Sequence, residues 1–392
     1  MRIAVYTDYK YRRDADGVYA EKAFALFLDR LAHDLDGLVL LGRLDPRPGR
    51  WHYRLPPRVT FVSLPWYPSL SRPLGAAPAM VKSIRRFWRA LDGVDVVWLL
   101  GPHVLSLTFL ALTTLRRKRV VLGVRQDLPR SVASRHPDQL ALRLVALILE
   151  GAWRALARFH SIIVVGPELE RRYRHARRVL GVYVSLVEGR AIENATGGGA
   201  RDYSGELSIL AVGRLEPEKN PLLLADVLAL LRESEPRWRL VVCGEGPMRR
   251  ELLQRLQLLG VGRYADLRGY VPMGQGLTRV YRECHLFLHA SWTEGMPQVL
   301  LEAFAARLPA VATAVGGVTR AADGCALLVA PGDASAAAAQ LASLARDRSL
   351  RERLAEAGAA RVRQHTCEAE SRRVADFLCS SPTIRERRLD RR

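Results

Sequence analysis

Cysteine is sparse in this sequence. Cys243, Cys284, Cys325, Cys367 and Cys379 are odd in number, far apart and form no CxxC pair. That argues against a disulfide framework and against a zinc site, and suits small buried hydrophobes in a reducing compartment. Lysine is sparse too. Lys+Arg total 60, yet only Lys10, Lys22, Lys82, Lys118 and Lys219 are lysines, so Lys219 stands alone in the second half of the chain. Long uncharged apolar runs are missing. The two most apolar stretches, Val104–Leu115 and Leu140–Trp153, fall short of a bilayer span and read as buried helices. The opening MRIAVYTDY reads as a strand rather than a secretion signal, so the sequon at Asn194 is expected to be chance.

What is present is the balance of a soluble globular protein: 49% hydrophobic and 26% charged residues in a chain of 392, a length that predicts two domains. The net charge of +20 favours anionic partners such as phosphorylated ligands or an anionic membrane surface. The basic residues are scattered through helical patterns and are not interleaved with aromatics, so nucleic acid is not an expected partner. The predicted location is cytoplasmic, with peripheral association on the cytoplasmic face of a membrane as an option. The segment Pro65–Leu91 mixes Trp, Tyr and Arg, and its second half reads either as an amphipathic helix on anionic lipid or as a helix packed on a sheet.

Strand-like runs alternate with helical patterns from end to end, the pattern of α/β domains with parallel sheets. The first half gives RIAVYT, GLVLLG, VTFVSL, VDVVWLL, RVVLGV, SIIVVG and VYVSLV, with a helix expected from Gly17. Periodicity then breaks over Glu188–Glu206, which contains three consecutive glycines, and restarts with LSILAVG, RLVVCG, ADLRGYV, HLFLHA, PAVATA and ALLVA. The expected organisation is a first domain over 1–188, a linker over 189–206, a second domain over 207–370, and a terminal helix with a basic tail over 371–392. Both domains are expected to be doubly wound and Rossmann-like, facing across a cleft with ligands at the carboxyl ends of the strands.

Three second-half segments carry chemistry. In VGRLEPEKN a strand ends at Gly213, where the backbone can be approached closely, and Arg214 and Lys219 follow as two cations suited to a diphosphate. In VVCGEGP a strand runs into a turn at Gly244, either an anion or ribose site or simply a tight βα turn. In SWTEGMPQVLLEAFA, Glu294 falls in a loop and Pro297 fits the first position of a helix that carries Glu302. Eight residues apart, the two glutamates point in different directions. The N–H groups around Gly295, Met296 and Gln298 lie at the positive end of the helix dipole. A sugar nucleotide matches this arrangement, with hexose at Glu294, diphosphate at the helix end with Arg214 and Lys219, and ribose at Glu302.

VGRLEPEKN, CGEGP, LRGYVP and SWTEGMPQVLLEAFAARLPAVATAVGG together resemble the family 4 type retaining glycosyltransferases with the GT-B fold, specifically over about residues 207–329. The resemblance implies that Arg214 and Lys219 hold the donor diphosphate and stabilise it as leaving group, with Glu294 on the donor sugar and Glu302 on the ribose. It places Tyr270 and Val271 of LRGYVP beside the base, and it sends the terminal helix back onto the first domain. Catalysis would rest on Arg214, Lys219 and Glu294 with no cofactor, no metal site and no required divalent ion. Arg307 and Arg320 depart from the family pattern, as does Gln126, which stands where a His is common.

On the acceptor side, Gln126 and Asp127 of VRQDLPR follow a strand, as acceptor contacts or, for Asp127, as a turn cap. His103 of GPH is an acceptor-side or a structural donor. KYRRDADG, ending at Gly17, lines an acceptor entrance or is a solvated loop, and its DAD is only superficially like the DxD metal motif of another transferase fold. Acceptors left open are lipid-linked, polysaccharide or small-molecule. Rival readings are a sugar-nucleotide epimerase, a glycosyl phosphorylase of similar fold, or a non-enzymatic basic surface binder.

Overall fold

The computed structural model describes all residues except 48–50, 68–72, 136–137, 197–200 and 381–392. The chain divides into two compact units, Met1–Val184 with Glu368–Arg392, and Ser185–Cys367.

The first unit is built on a nine-stranded sheet. Its strands are β1 (Arg2–Asp14), β2 (Gly17–Ala20), β3 (Gly37–Leu44), β4 (Tyr53–Arg54), β5 (Val59–Leu64), β6 (Val96–Gly101), β7 (Arg119–Val124), β8 (Ser161–Val165) and β9 (Arg178–Val182). The parallel core runs β5-β3-β1-β6-β7-β8-β9, so the winding reverses between β1 and β6. Apolar strands such as Val96–Leu100 are buried on both faces, as a parallel sheet between helices requires. Phe87 and Phe109, on the helices Pro73–Ala90 and Val104–Leu115, stack with ring centroids 3.9 Å apart, and Trp153 is fully buried beside them in the same core. Burial of each such side chain contributes about 1.5–3 kcal/mol.

The second unit holds a six-stranded, all-parallel sheet: β10 (Leu207–Val212), β11 (Trp238–Cys243), β12 (Ala265–Gly269), β13 (Leu286–His289), β14 (Ala310–Thr313) and β15 (Leu327–Val329). Their order is β12-β11-β10-β13-β14-β15, a doubly wound sheet whose direction reverses between β10 and β13. Leu223, Leu224, Val227, Leu228 and Leu231 of the helix Leu222–Ser234 are buried at helical spacing. The alanine-rich run forms the helix Ala334–Arg346, whose start is fixed by Asp333 accepting a hydrogen bond from the Ala336 N–H at 2.8 Å.

Several expectations need correction. Residues 10–17 are not a solvated loop and no helix starts at Gly17: Tyr11–Asp14 pairs antiparallel with Gly17–Ala20, and the helix covers only Phe24–His33. The β-favouring Val18 and Tyr19 follow an Ala-Asp turn, and hairpin pairing overrides the helical spacing. The strand expected at VYVSLV lies earlier, at Arg178–Val182. The expected linker contains the helix Gly189–Thr196. Arg201 beyond it is tied to the second unit by bonds to the carbonyls of Arg307 (3.0 Å) and Ala306 (2.8 Å). The chain changes unit at Val184/Ser185 instead, and returns after Cys367.

The terminal helix Cys367–Ser380 belongs to the first unit. Glu370 accepts from the Tyr183 N–H (3.0 Å), and Arg119 donates to the Leu378 carbonyl (3.0 Å). The basic tail over 381–392 lies outside the described residues.

The helix Leu140–Ala157, expected to be buried, is buried along one face only, through Ala146, Glu150, Trp153 and Ala157. On the opposite face Leu140, Leu144, Leu147 and Ile148 are 74, 60, 57 and 61% exposed. The helix Pro73–Ala90, by contrast, spends its apolar face on the core through Ile84, Phe87 and Trp88. Among the described residues no helix is long and apolar enough to cross a membrane.

Candidate active site

The reversal of winding in the second unit leaves a crevice at the carboxyl ends of β10 and β13, where the connections leave toward opposite faces of the sheet. A cavity of about 290 Å³ lies there, lined by Gly213, Arg214 and Lys219 after β10 and by His289, Ser291, Glu294, Met296, Pro297 and Gln298 from β13 onward. Backbone packing fixes both loops. The Trp292 N–H donates to the Glu218 carbonyl (2.9 Å), and the Thr313 hydroxyl donates to the Ser291 carbonyl (2.7 Å). The Gly317 N–H donates to the Glu294 carbonyl (3.1 Å). A Cβ on Gly317 would stand 1.9 Å from the Gly295 carbonyl oxygen, so only glycine permits this approach. Gly244, after β11, meets the Gly213 carbonyl oxygen in the same way, at 1.7 Å from where its Cβ would be. Gly213 itself faces open space.

Lys219 ends a short turn, Pro217–Lys219, and its ammonium is ion-paired with Glu294. His289 Nε2 lies 3.3 Å from Glu294 Oε2, and the Ser291 hydroxyl donates to the same oxygen at 3.4 Å. Burial pushes the Glu294 carboxyl up, but the hydrogen bond from His289 and the charge of Lys219 outweigh it and hold it at about 2. Glu294 is therefore ionised throughout the physiological range and acts purely as an acceptor.

Arg214 is 46% exposed and pairs with Glu216 and, at 3.2 Å, with Glu218. Ion pairs this exposed are weak, so an incoming anion can take the guanidinium from them. Pro297 caps the helix Gln298–Ala305 from outside its first turn, one residue earlier than expected. Glu302 accepts from the Tyr281 hydroxyl at 2.8 Å, and burial pushes its carboxyl up to about 7 against the pull of that hydrogen bond. It does not line the cavity that holds Lys219 and Glu294. Val271 and the partly exposed Tyr270 follow β12, on the same carboxyl edge of the sheet.

Sequence reasoning missed His289, Ser291 and Tyr281. His289 had a visible signal, a histidine closing the apolar strand LFLH at its carboxyl end. Tyr281 had none, since it meets Glu302 only through the packing of the helices Gln275–Glu283 and Gln298–Ala305.

The acceptor-side candidates all lie in the first unit. His103 caps the helix Val104–Leu115, its Nδ1 accepting from the Leu105 N–H at 3.2 Å. Its Nε2 then carries the proton and faces Asp8 Oδ1 at 3.4 Å. Burial lowers the His103 pKa, against the raising effect of Asp8. Asp8 is held in turn by Arg43 (3.0 Å) and the Tyr67 hydroxyl (3.1 Å). This network lies just past the paired stretch of β1 and β6, which ends at Tyr6 and Leu99, where the first sheet reverses. Gln126 is exposed at the carboxyl end of β7. Asp127 has both oxygens engaged, one by the Arg130 N–H at 3.2 Å and one by Arg172 at 2.5 Å, the geometry of a helix cap. Gly17 sits in the β1–β2 hairpin beside Arg54.

A doubly wound sheet with glycine turns, and with a lysine, a histidine and an ionised glutamate together at its switch point, defines a Rossmann-like unit of the α/β class. Residues 200–361 match the family described as glycosyl transferases group 1. Among its relatives, a phosphatidylinositol N-acetylglucosaminyltransferase GPI3 subunit from Saccharomyces cerevisiae is 32% identical over 124 residues, 31% of this chain and 27% of that protein. Mannosylfructose-phosphate synthase from Agrobacterium fabrum is 36% identical over 121 residues, 29% of this chain and 26% of that protein. The chain thus spans about a quarter of the length of the curated relatives it matches.

Whole-chain likeness comes from solved structures. Sucrose-phosphate synthase from Thermosynechococcus elongatus aligns with a TM-score of 0.69 at 18% identity, covering 100% of this chain and 99% of that one. HepE of Anabaena, solved with UDP and glucose, aligns at 0.69 and 17%, covering 97% and 100%. The fold is that of the GT-B glycosyltransferases, two Rossmann-like units each built on a largely parallel sheet.

Proposed function

We propose that this chain is a glycosyltransferase that takes its sugar from a nucleoside diphosphate donor and transfers it with retention of anomeric configuration. The observation that carries the reading is the Lys219–Glu294–His289 cluster at the switch point between β10 and β13. Glu294, ionised and fixed from three sides, accepts hydrogen bonds from sugar hydroxyls. Lys219, released from Glu294 as the donor enters, turns its ammonium to the diphosphate, and Arg214 joins it from its exposed pairs. The bond between the anomeric carbon and the phosphate oxygen breaks with its electrons passing to the diphosphate. The acceptor oxygen bonds to that carbon on the same face, and its proton goes to the departing phosphate oxygen.

Preorganised cations facing the developing charge are the main catalytic device of such a site. Lys219 supplies charge at the leaving group without a divalent ion. Glu302, held by the Tyr281 hydroxyl, takes the ribose, and Tyr270 and Val271 flank the base. The first unit takes the acceptor. The exposed aliphatic face of the helix Leu140–Ala157, flanked by the exposed Arg143, Arg154 and Arg158, supports an acceptor met at an anionic membrane surface.

The reading is tested by calorimetric titration with UDP, GDP and ADP, without metal, at two salt concentrations. Saturable preference for one nucleotide, lost in Glu302→Ala, is the expected result. Equal, weak, salt-labile binding of all three would reduce the site to a basic surface.

A further inference from the structure

Arg125, the first residue after β7 in the first unit, has no carboxylate partner among the described residues. Its Nε and Nη1 are buried with no hydrogen-bond partner, the only guanidinium among the described residues with two such atoms. Arg43 and Arg201, also largely buried, each leave only Nε without a hydrogen bond: the Nη atoms of Arg43 donate to Asp8 and the Tyr67 carbonyl, and those of Arg201 to the carbonyls of Ala306 and Arg307. Arg125 is held by rings instead, its guanidinium carbon 4.2 Å from the centroid of Phe24 and 4.8 Å from that of Tyr9. Cation–π contacts orient a guanidinium and offset part of its desolvation, yet leave its in-plane N–H donors unused.

The position is informative. Tyr9 belongs to β1, Arg125 follows β7, and β6 lies between them, so the guanidinium sits on the carboxyl edge of the sheet beside its reversal of winding. That edge is where a doubly wound sheet takes ligands.

We propose that Arg125 is the recognition point for an oxyanion carried by the acceptor, such as a phosphate. A planar fork of five N–H donors, the three on Nε and Nη1 already dry, matches a phosphate or carboxylate in bidentate geometry, and a ligand that meets it satisfies groups the protein leaves unmet. Burial alone drops the Arg125 pKa to about 10, with no acid nearby to oppose it, and a bound anion would reverse that penalty. The inference rests on the reading that the first unit takes the acceptor, and it narrows that acceptor to an acidic molecule.

The test uses the unaltered chain. Arginines are modified with phenylglyoxal and mapped by peptide mass, in inorganic phosphate or in chloride of equal ionic strength. Phosphate is expected to slow modification of Arg125 about ten-fold relative to chloride while leaving surface arginines outside both proposed sites, such as Arg279 and Arg348, nearly unchanged. Vesicles containing phosphatidic acid form the second arm. Protection by vesicles but not by free phosphate supports the site and assigns its anion to a lipid. Equal modification in phosphate, vesicles and chloride overturns the proposal. Nucleotide titration of the same sample keeps the two readings apart. Nucleotide binding without Arg125 protection removes only this inference, whereas protection without nucleotide binding removes the transferase reading and leaves an anion site.

Discussion

Glu302 gives the sharpest energetic prediction. Its carboxyl stands at about 7 in the folded chain against an ordinary 4.5, because burial on the helix Gln298–Ala305 costs the charged form more than the Tyr281 hydroxyl returns. The folded state therefore binds the proton more tightly than the unfolded one. Its stabilising effect is complete below pH 4.5 and is lost as pH rises through 7. A difference of about 2.5 pK units at 1.36 kcal/mol each amounts to ~3 kcal/mol. Glu302→Gln keeps the shape and an oxygen for Tyr281 but does not ionise, so it escapes the loss. Scanning calorimetry of both proteins should show similar melting of the second unit at pH 4.5. By pH 7.5 the Gln variant should be more stable by ~3 kcal/mol, or roughly 6–12 °C for a unit of this size. Removing the hydroxyl with Tyr281→Phe should widen the pH effect in the chain that retains Glu302. Parallel melting curves across pH 4.5–7.5 would refute the idea that Glu302 is a buried, proton-holding carboxyl.

Two further outcomes follow from the same unit. Lys219→Ala should lower kcat ~10²–10³-fold, as for loss of one oxyanion donor, and a folded variant with near-normal turnover of donor would remove Lys219 from the leaving-group role. Gly317→Ala drives a methyl into the Gly295 carbonyl. It should weaken nucleotide binding at least ten-fold while costing ~1–3 kcal/mol of stability, and unchanged affinity by calorimetry would show that the 294–295 loop is not held from β14.

The alternation of apolar strands with helical patterns made the doubly wound sheets readable, because a parallel strand buried on both faces leaves an unbroken hydrophobic run. The placing of Gly213, Lys219 and Glu294 around one cavity was readable for a related reason: residues that follow such a strand lie at the carboxyl edge of the sheet. Features that depend on long-range packing were hidden. Tyr281 reaches Glu302 from a neighbouring helix 21 residues upstream, and Arg125 meets Tyr9 from across β6 and meets Phe24 on the helix Phe24–His33. The helix Leu140–Ala157 looked like core because composition records how apolar a segment is, not which of its faces finds a partner. The hairpin at Tyr11–Ala20 was lost to spacing that fits a helix, because only Val18 and Tyr19 after its Ala-Asp turn favour a strand, while Arg12, Arg13 and Asp14 before it do not.

The return of the chain at Glu368 has a consequence for biosynthesis. The second unit is one continuous segment, Ser185–Cys367, whereas the first needs residues from both ends of the sequence. Arg119, Tyr183 and Asp34 wait for Leu378, Glu370 and Ser371. During synthesis the portion made first is thus the portion finished last. A chain that stops between residues 367 and 380 holds a complete second unit but a first unit still lacking its closing helix, with the apolar surface under that helix open to chaperones and proteases.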